Sequence, residues 1–129
     1  MKQDSPLIGW SVTKSLTNAF VGIVEGEGGI DIKAPAPVPE WQSPGDQRAN
    51  ITVDSMLKMQ SGTDWNPAGD IGATTFCIYG NDGNCANWAA ELPLVAQPDS
   101  VNYYNSGSTY ILSRIALGSR CTCCPSCSS

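Results

Sequence analysis

The chain has 129 residues, of which 41% are apolar, and it carries a net charge of -5 at neutral pH. This size and composition predict one small globular domain with a modest core. Because the charge is negative and no basic residues cluster, the sequence disfavours nucleic acid or an anionic membrane surface as a partner. Histidine is absent, which excludes a Ser-His-Asp triad and most zinc hydrolase sites within this chain.

The first residues of the chain do not resemble an export signal. Met1 to Asp4 lead into Ser-Pro rather than into the apolar core of a signal peptide, and no apolar run is long enough to cross a bilayer. We therefore expect neither a signal peptide nor a membrane segment in this chain. The compartment stays open between the periplasm and the cytoplasm of a bacterium.

The first predicted element is a helix from Ser11 to Glu25. Its apolar residues recur at the spacing of one helical face, and they are Val12, Leu16, Ala19, Phe20, Ile23 and Val24. Gly26, Gly28 and Gly29 follow directly and are typical of a C-terminal cap and a turn.

The next stretch, A-P-A-P-V-P at residues 34–39, is too rich in proline for a helix or a central strand. We expect it to run extended over the surface. The tryptophans are predicted to be core and loop anchors rather than a sugar-binding platform, and they are Trp10, Trp41, Trp65 and Trp88.

A second helix is predicted from Val53 to Gln60, with Thr52 as its N-cap. The apolar residues of this helix are expected to face the core, which places Ser55 and Lys58 on its solvated side.

The second half of the chain has weaker patterns. Residues 61–85 are rich in Gly, Asp, Asn and Thr and are predicted to be loop. A short helix is expected at 87–92, an extended segment at 100–104, and a third helix at 110–117.

The six cysteines fall into two groups. Cys77 and Cys85 flank a Gly-Asn-Asp-Gly-Asn turn, so a disulfide and a pair of buried thiols are both compatible with their spacing. The others lie in the tail C-T-C-C-P-S-C-S-S, which is a poor zinc signature without histidine or a second knuckle. We divide the chain into a domain at 1–118 and a Cys-rich tail at 119–129, which we expect to be disordered.

A serine and a lysine three residues apart stand at the head of the first predicted helix. Ser11 and Lys14 fall on one face, one turn apart, where an amine can act on a hydroxyl proton. A serine is a weak nucleophile until a base takes its proton, and a lysine amine does so only in its neutral form. In Y-N-S-G, Tyr104 is a candidate to relay the proton and Ser106 to orient the substrate. The same spacing recurs in S-M-L-K at 55–58, which we interpret as structural.

Four segments in this order resemble the superfamily of serine β-lactamases and penicillin-binding proteins. They are G-W-S-V-T-K-S-L-T-N-A-F-V-G-I, then G-G-I-D-I-K-A-P with P-E-W, then N-I-T-V-D-S-M-L-K-M-Q-S-G-T-D-W, then Y-N-S-G-S-T-Y-I-L-S-R-I. Within it, the chain is most similar to class C-like serine hydrolases that include 6-aminohexanoate-dimer hydrolase and related esterases. The resemblance covers roughly residues 8–118 and leaves the tail outside.

The resemblance implies an α+β fold of which this chain is the mainly helical portion. It implies that Ser11 is the acylated nucleophile and that Lys14 is its base. Tyr104 then matches the tyrosine of the Y-x-S/N element, and Ser106 its third position. The implied reaction is hydrolysis of a small-molecule amide or ester through an acyl-enzyme, with no cofactor and no metal. The substrate stays open between a β-lactam, a peptide, a linear amide and an ester.

The chain departs from the family pattern at one element. The K/H-T-G tripeptide, whose strand lines the cleft and supplies a backbone N–H to the oxyanion hole, does not occur in it. We therefore expect most of the sheet to be missing from this chain and to be needed for its folding. The alternative is a non-catalytic remnant or a small binding module in which Ser11 and Lys14 are ordinary helix-surface residues.

Overall fold

The computed structural model describes residues 9–65, 69–80 and 83–121. Within these ranges the α-helices are α1 (Thr13–Gly26), α2 (Val53–Leu57), α3 (Gly69–Gly80), α4 (Cys85–Glu91) and α5 (Ser106–Cys121). Short 3-10 helices cover Trp10–Val12, Pro39–Trp41 and Gln47–Asn50. The same ranges contain no strand, only isolated bridges between Pro35 and Thr52 and between Thr63 and Leu94. The prediction of a mainly helical chain is confirmed.

Helix α5 lies at the centre of the fold and contacts α1, α2, α3 and α4. Its buried apolar residues recur at helical spacing, and they are Ile111, Leu112, Ile115 and Ala116. Trp41 and Trp65 are completely buried, as predicted, and Trp88 packs against Trp65 edge to face. The prediction of a core or loop anchor is wrong for Trp10, which is 80% exposed.

The proline-rich stretch is extended, as predicted. Its backbone pairs with the residues before α2, where the Ala36 N–H donates to the Ile51 carbonyl at 2.8 Å. Ala36 and Val38 are buried while the prolines between and beside them are exposed, the alternation expected of an extended segment. The buried Trp41 then fixes the end of the stretch, because its indole N–H donates to the Ala90 carbonyl at 2.8 Å.

The ends of α1 and α2 follow from capping chemistry. α1 ends in a Schellman motif, in which Gly28 has a left-handed φ of 75° and the Gly29 N–H donates to the Val24 carbonyl at 2.8 Å. Thr52 caps α2 as predicted, because its hydroxyl accepts the Ser55 N–H at 3.0 Å.

Helix α2 is shorter than the predicted 53–60. Met59 adopts a left-handed φ of 58°, and the Gln60 N–H turns back to the Ser55 carbonyl at 2.7 Å, which closes a second Schellman motif. The apolar spacing in the sequence continues beyond the last residue of the helix, but the hydrogen bonds of the cap end the helix at Leu57.

The loop predicted at 61–85 is wrong over α3. Its glycines and threonines have low helix propensity, yet tertiary contacts override that preference. Ala73 and Cys77, four residues apart, are the positions by which this helix enters the core. A disulfide joins Cys77 to Cys85 at the start of α4, with 5.2 Å between their Cα atoms, and settles the choice between a bridge and two thiols.

The last two helices were predicted in the right places with wrong bounds. α4 is Cys85–Glu91 rather than 87–92, because the Asn84 side chain caps it by accepting the Asn87 N–H. α5 is Ser106–Cys121 rather than 110–117, and residues 100–104, predicted as an extended segment, are a turn residue followed by irregular backbone. Tail residues 122–129 lie outside the described residues. No helix in the described ranges is long and apolar enough to cross a membrane.

One face of α1 is apolar and exposed. Val21 and Val24 are buried, but much of the predicted apolar stripe faces solvent, namely Val12, Leu16, Phe20 and Ile23. A groove of about 360 Å³ runs beside this stripe, between α1 and the exposed Leu117 of α5. An apolar sector this broad is typical of a helix that is buried on more than one side.

An ion pair fastens the centre of α5 to the proline-rich stretch. Arg114 donates to both carboxylate oxygens of Glu40, at 2.7 and 2.8 Å, and to the side-chain oxygen of Asn87 at 2.6 Å. The hydrogen bonds from Arg114 hold the pKa of the Glu40 carboxyl below its ordinary value of 4.5. Both side chains are 28% exposed, so water screens the pair only partly.

We expect Glu40→Gln to remove the acid sensitivity that comes from this pair. A carboxyl with a lowered folded pKa stabilises the fold above its unfolded pKa, and the contribution is lost as pH falls through the folded pKa. The variant should therefore unfold more easily at pH 7, by about 1–2 kcal/mol. The difference from the wild type should shrink as pH falls below about 4.5. Urea unfolding of both proteins across pH 2.5–7 measures the free energy of unfolding at each pH. A difference between wild type and variant that stays the same at every pH would contradict the prediction.

Candidate active site

Ser11 lies in the middle of the 3-10 turn that precedes α1. The turn closes when the Val12 N–H donates to the Gly9 carbonyl at 3.0 Å. Trp10 adopts a left-handed φ of 45°, an uncommon conformation for a residue with a side chain and one often found beside functional sites. Ser11 is exposed, so a solvent-borne molecule can reach its hydroxyl.

Lys14 reaches the Ser11 hydroxyl from the first turn of α1. Its Nζ donates to Ser11 Oγ at 3.2 Å, and the residue is partly buried. The three-residue spacing thus produces the contact that helical geometry predicts. In this arrangement the amine is the donor, and base chemistry requires the reverse, with a neutral amine accepting the serine proton. The Ser11–Lys14 pair lies at the surface of the described structure.

Tyr104 comes to the same place from a distant part of the sequence. The Nζ atom of Lys14 lies 4.9 Å from the centroid of its ring, within the range of a cation–π contact. The residue is 48% exposed and stands in an irregular segment directly before α5. Ser11, Lys14 and Tyr104 therefore form one group of neighbouring side chains, which we call the S-K-Y group.

Ser106, the fourth predicted site residue, has a different environment. It is the first residue of α5 and is only 4% exposed, so a substrate has little access to its side chain. Its assignment to substrate binding stays a prediction. The residue between it and Tyr104, Asn105, was not singled out in the sequence, although an asparagine directly before a helix is a common N-cap.

The second S-x-x-K quartet has a structure unsuited to catalysis. Ser55 is fully buried, which corrects the expectation of a solvated position, and its hydroxyl donates to Asp99 at 3.0 Å. Lys58 is exposed and pairs with Asp54, whose hydrogen bond raises the pKa of the lysine above its ordinary 10.5. An amine that holds its proton this firmly is a poor base. Equal spacing in sequence therefore leads to different chemistry.

No group of three or more potential metal ligands occurs within 9–65, 69–80 and 83–121. The S-K-Y group itself offers a hydroxyl, an amine and a phenol, which are the groups of a nucleophile, a base and a proton relay.

A family model described as beta-lactamase matches residues 1–119. The chain belongs to the beta-lactamase family. No curated protein and no solved structure matches the chain. Membership in the beta-lactamase family implies a serine-hydrolase type of protein. The helical architecture of the described residues is consistent with the helical portion of that fold. The match includes α1 and its preceding turn as well as the Y-N-S-G segment, so both parts of the S-K-Y group lie inside it.

Proposed function

We propose that this chain is the helical part of a serine hydrolase that forms an acyl-enzyme on Ser11 with an amide or ester substrate. The observation that carries the proposal is the approach of Lys14 Nζ to Ser11 Oγ at 3.2 Å, with the Tyr104 ring 4.9 Å from the same amine. The contact with Tyr104 joins Lys14 to a residue far away in the sequence, which an ordinary helix-surface pair does not require.

The proposed reaction begins with a neutral Lys14 amine. The amine takes the Ser11 proton as Oγ bonds to the substrate carbonyl carbon, and the carbonyl oxygen becomes an oxyanion. Collapse of this intermediate breaks the bond to the leaving nitrogen or oxygen, which receives a proton through the Tyr104 phenol. Water then attacks the acyl carbon, and Ser11 regains its proton as the acid product leaves. Ser106 is assigned to orienting the substrate.

The finer assignment is to the class C-like branch that includes 6-aminohexanoate-dimer hydrolase and related esterases. The order of the four motif segments supports it, with S-V-T-K and Y-N-S at its two ends. A linear amide or a carboxylic ester is the substrate class that this branch favours. The exposed Ser11 is compatible with a substrate of extended shape.

The sequence lacks the K/H-T-G tripeptide, so part of the proposed centre must come from elsewhere. One oxyanion-hole donor is worth about a hundredfold to a thousandfold in rate. We therefore infer slow turnover by the chain alone. The exposed apolar stripe of α1 is the surface on which we propose that a sheet packs, because burial of such a stripe stabilises a helix layer.

The proposed sheet-binding face predicts how the isolated chain behaves in solution. Its exposed apolar residues should bind the dye ANS, and the double substitution Leu16→Ser and Phe20→Ser should lower the dye fluorescence strongly. Ile71→Ser is the matched control, since Ile71 is 82% exposed on α3, away from that face. Equal fluorescence of the wild type and the double variant would contradict the assignment of this face.

A second candidate function is a non-catalytic remnant or binding module. The observation that favours it is the openness of the S-K-Y group, since Ser11 is exposed and Tyr104 is 48% exposed. In that case Lys14 is a charged residue that solvates the start of α1. The two candidates differ in one measurable property, which is the reactivity of Ser11.

A fluorophosphonate probe separates the two candidates. Ser11 Oγ should displace fluoride from phosphorus and leave a stable phosphonyl ester on the wild-type chain. Ser11→Ala should reduce labelling to background. Ser55→Ala, a substitution in the second quartet, should leave labelling per folded molecule unchanged. Equal labelling of the wild type and Ser11→Ala would refute the assigned nucleophile, and an unlabelled wild type would favour the binding module.

A further inference from the structure

The chain before Tyr104 is anchored to the turn that follows α2. The Tyr103 N–H donates to the Met59 carbonyl at 2.8 Å. One residue earlier, the Asn102 side-chain amide donates to the Lys58 carbonyl, also at 2.8 Å. These two bonds fix the backbone that enters Tyr104 from its N-terminal side.

The chain after Tyr104 is anchored to the same segment by Asn105. This side chain is 2% exposed, and its amide donates to Thr63 Oγ1 at 2.9 Å. Its carbonyl oxygen accepts the Ser108 N–H at 3.0 Å and so caps α5. Ser61 closes the cluster by sharing hydrogen bonds with the Thr63 and Ser108 hydroxyls.

The segment 59–65 is shaped to accept these anchors. Met59 and Gly62 have left-handed φ values of 58° and 75°. The segment offers the Met59 carbonyl to Tyr103 and the Thr63 hydroxyl to Asn105. At its end, the buried ring of Trp65 lies directly against Gly107, where an added Cβ would come within 2.4 Å of the ring. This close contact holds the first turn of α5 against the same segment.

We propose that the segment 59–65 is a platform that positions Tyr104 against Lys14, and that Asn105 is the positioning residue that couples the two. This inference rests on the proposed function, since Tyr104 is the proton relay of that reaction. Asn105 does not touch the reacting atoms, because its buried amide is occupied by Thr63 and Ser108. It acts by fixing the backbone next to Tyr104, whose ring then stays within reach of the amine.

An amide suits this position better than other side chains of similar size. Asn105 donates to one partner and accepts from another, which a carboxylate or an aliphatic group cannot do at once. Loss of this side chain leaves the buried Ser108 N–H without its acceptor and removes one of the hydrogen bonds of the Thr63 hydroxyl. The first turn of α5 then loses its cap, and Tyr104 loses the anchor on its C-terminal side.

The positioning can be measured without catalysis. A ring near Lys14 shifts the NMR signals of the lysine ε-methylene protons upfield, and Tyr104→Leu defines the signal without this ring. We expect Asn105→Ala to lose most of that shift while circular dichroism still shows a folded helical chain. Thr63→Val is the milder variant, because it keeps the side-chain shape and removes one acceptor. It should lose part of the shift even if Asn105→Ala fails to fold.

Asn84→Ala is the matched control for the loss of a helix N-cap. Asn84 caps α4 by accepting the Asn87 N–H, as Asn105 caps α5, but it is not bonded to the platform. This variant should keep the full wild-type shift. The proposal is overturned if folded Asn105→Ala and Thr63→Val keep the wild-type shift, if Asn84→Ala loses as much, or if the wild type shows no shift.

Acylation of the same variants separates this inference from the proposed function. If the wild type reacts with the fluorophosphonate probe, Asn105→Ala should lower the rate, and the rate should follow the ring-current shift across the series. An unlabelled wild type that still shows the shift would refute the proposed function and leave the positioning intact.

Discussion

Lys14→Met is expected to slow acylation of Ser11 by about a hundredfold to ten-thousandfold, the range that general-base catalysis contributes. Methionine has an apolar, unbranched side chain only one atom shorter than that of lysine, and it has no amine to accept a proton. The 3.2 Å contact from Nζ to Ser11 Oγ is then lost, and with it the amine proposed to take the hydroxyl proton. The measurement is the rate of fluorophosphonate labelling of folded protein.

Lys58→Met is the matched control for this prediction. It removes the lysine of the second quartet, which has the same spacing and pairs with Asp54 rather than with a serine. The labelling rate should stay at the wild-type value. If Lys14→Met and Lys58→Met slow labelling equally, loss of positive charge or of stability explains the effect, and Lys14 is not the base.

Gly62→Ala is expected to lower the free energy of unfolding by about 3 kcal/mol or more, because it combines backbone strain with overpacking. Gly62 has a left-handed φ of 75°, and an added Cβ would lie 2.2 Å from the Ala96 carbonyl oxygen. The backbone of the two segments must separate to admit the methyl group. This also breaks the bonds from the N–H groups of Val95 and Ala96 to the Gly62 carbonyl.

Gly22→Ala shows what the same substitution does in an open position. Gly22 is inside α1, and no atom lies within 4 Å of its added Cβ. Alanine should stabilise the helix there by up to about 1 kcal/mol. Urea unfolding of both variants measures the contrast. Equal stability of Gly62→Ala and the wild type would show that this turn does not need a glycine.

Local sequence patterns were sufficient for the start of α2 and the end of α1, because these depend on a few neighbouring residues. Thr52 and Gly28 each occupy the predicted cap. Helix α3 could not be found in this way. Its residues are poor helix formers, and contacts of Ala73 and Cys77 with the core stabilise it.

The apolar periodicity of α1 predicted the helix, but it could not predict what surrounds the apolar stripe of that helix. Periodicity shows that Leu16 and Phe20 lie on one face, and it says nothing about which element covers that face. The same limit applied to Ser55, which is buried and bonds to Asp99, a residue far away in the sequence. Its hydroxyl was expected in water and instead bonds within the protein.

The candidate site was predictable to different degrees. Helical spacing alone brings Ser11 and Lys14 together, so their contact follows from the sequence. Tyr104 was a candidate because of its phenol and its match to the family's Y-x-S/N element, but no local rule joins it to Lys14. Asn105 escaped notice because the start of α5 was predicted too late, which hid its role as a cap.

Locating the covalent adduct tests the central claim most directly. After reaction with the fluorophosphonate probe, the chain is digested and the modified residue is identified by tandem mass spectrometry. We expect the phosphonyl group on Ser11, at a rate that depends on Lys14. An adduct on another serine or on a tyrosine, with Ser11 unmodified, would contradict the assignment of the S-K-Y group as a nucleophile, its base and a proton relay.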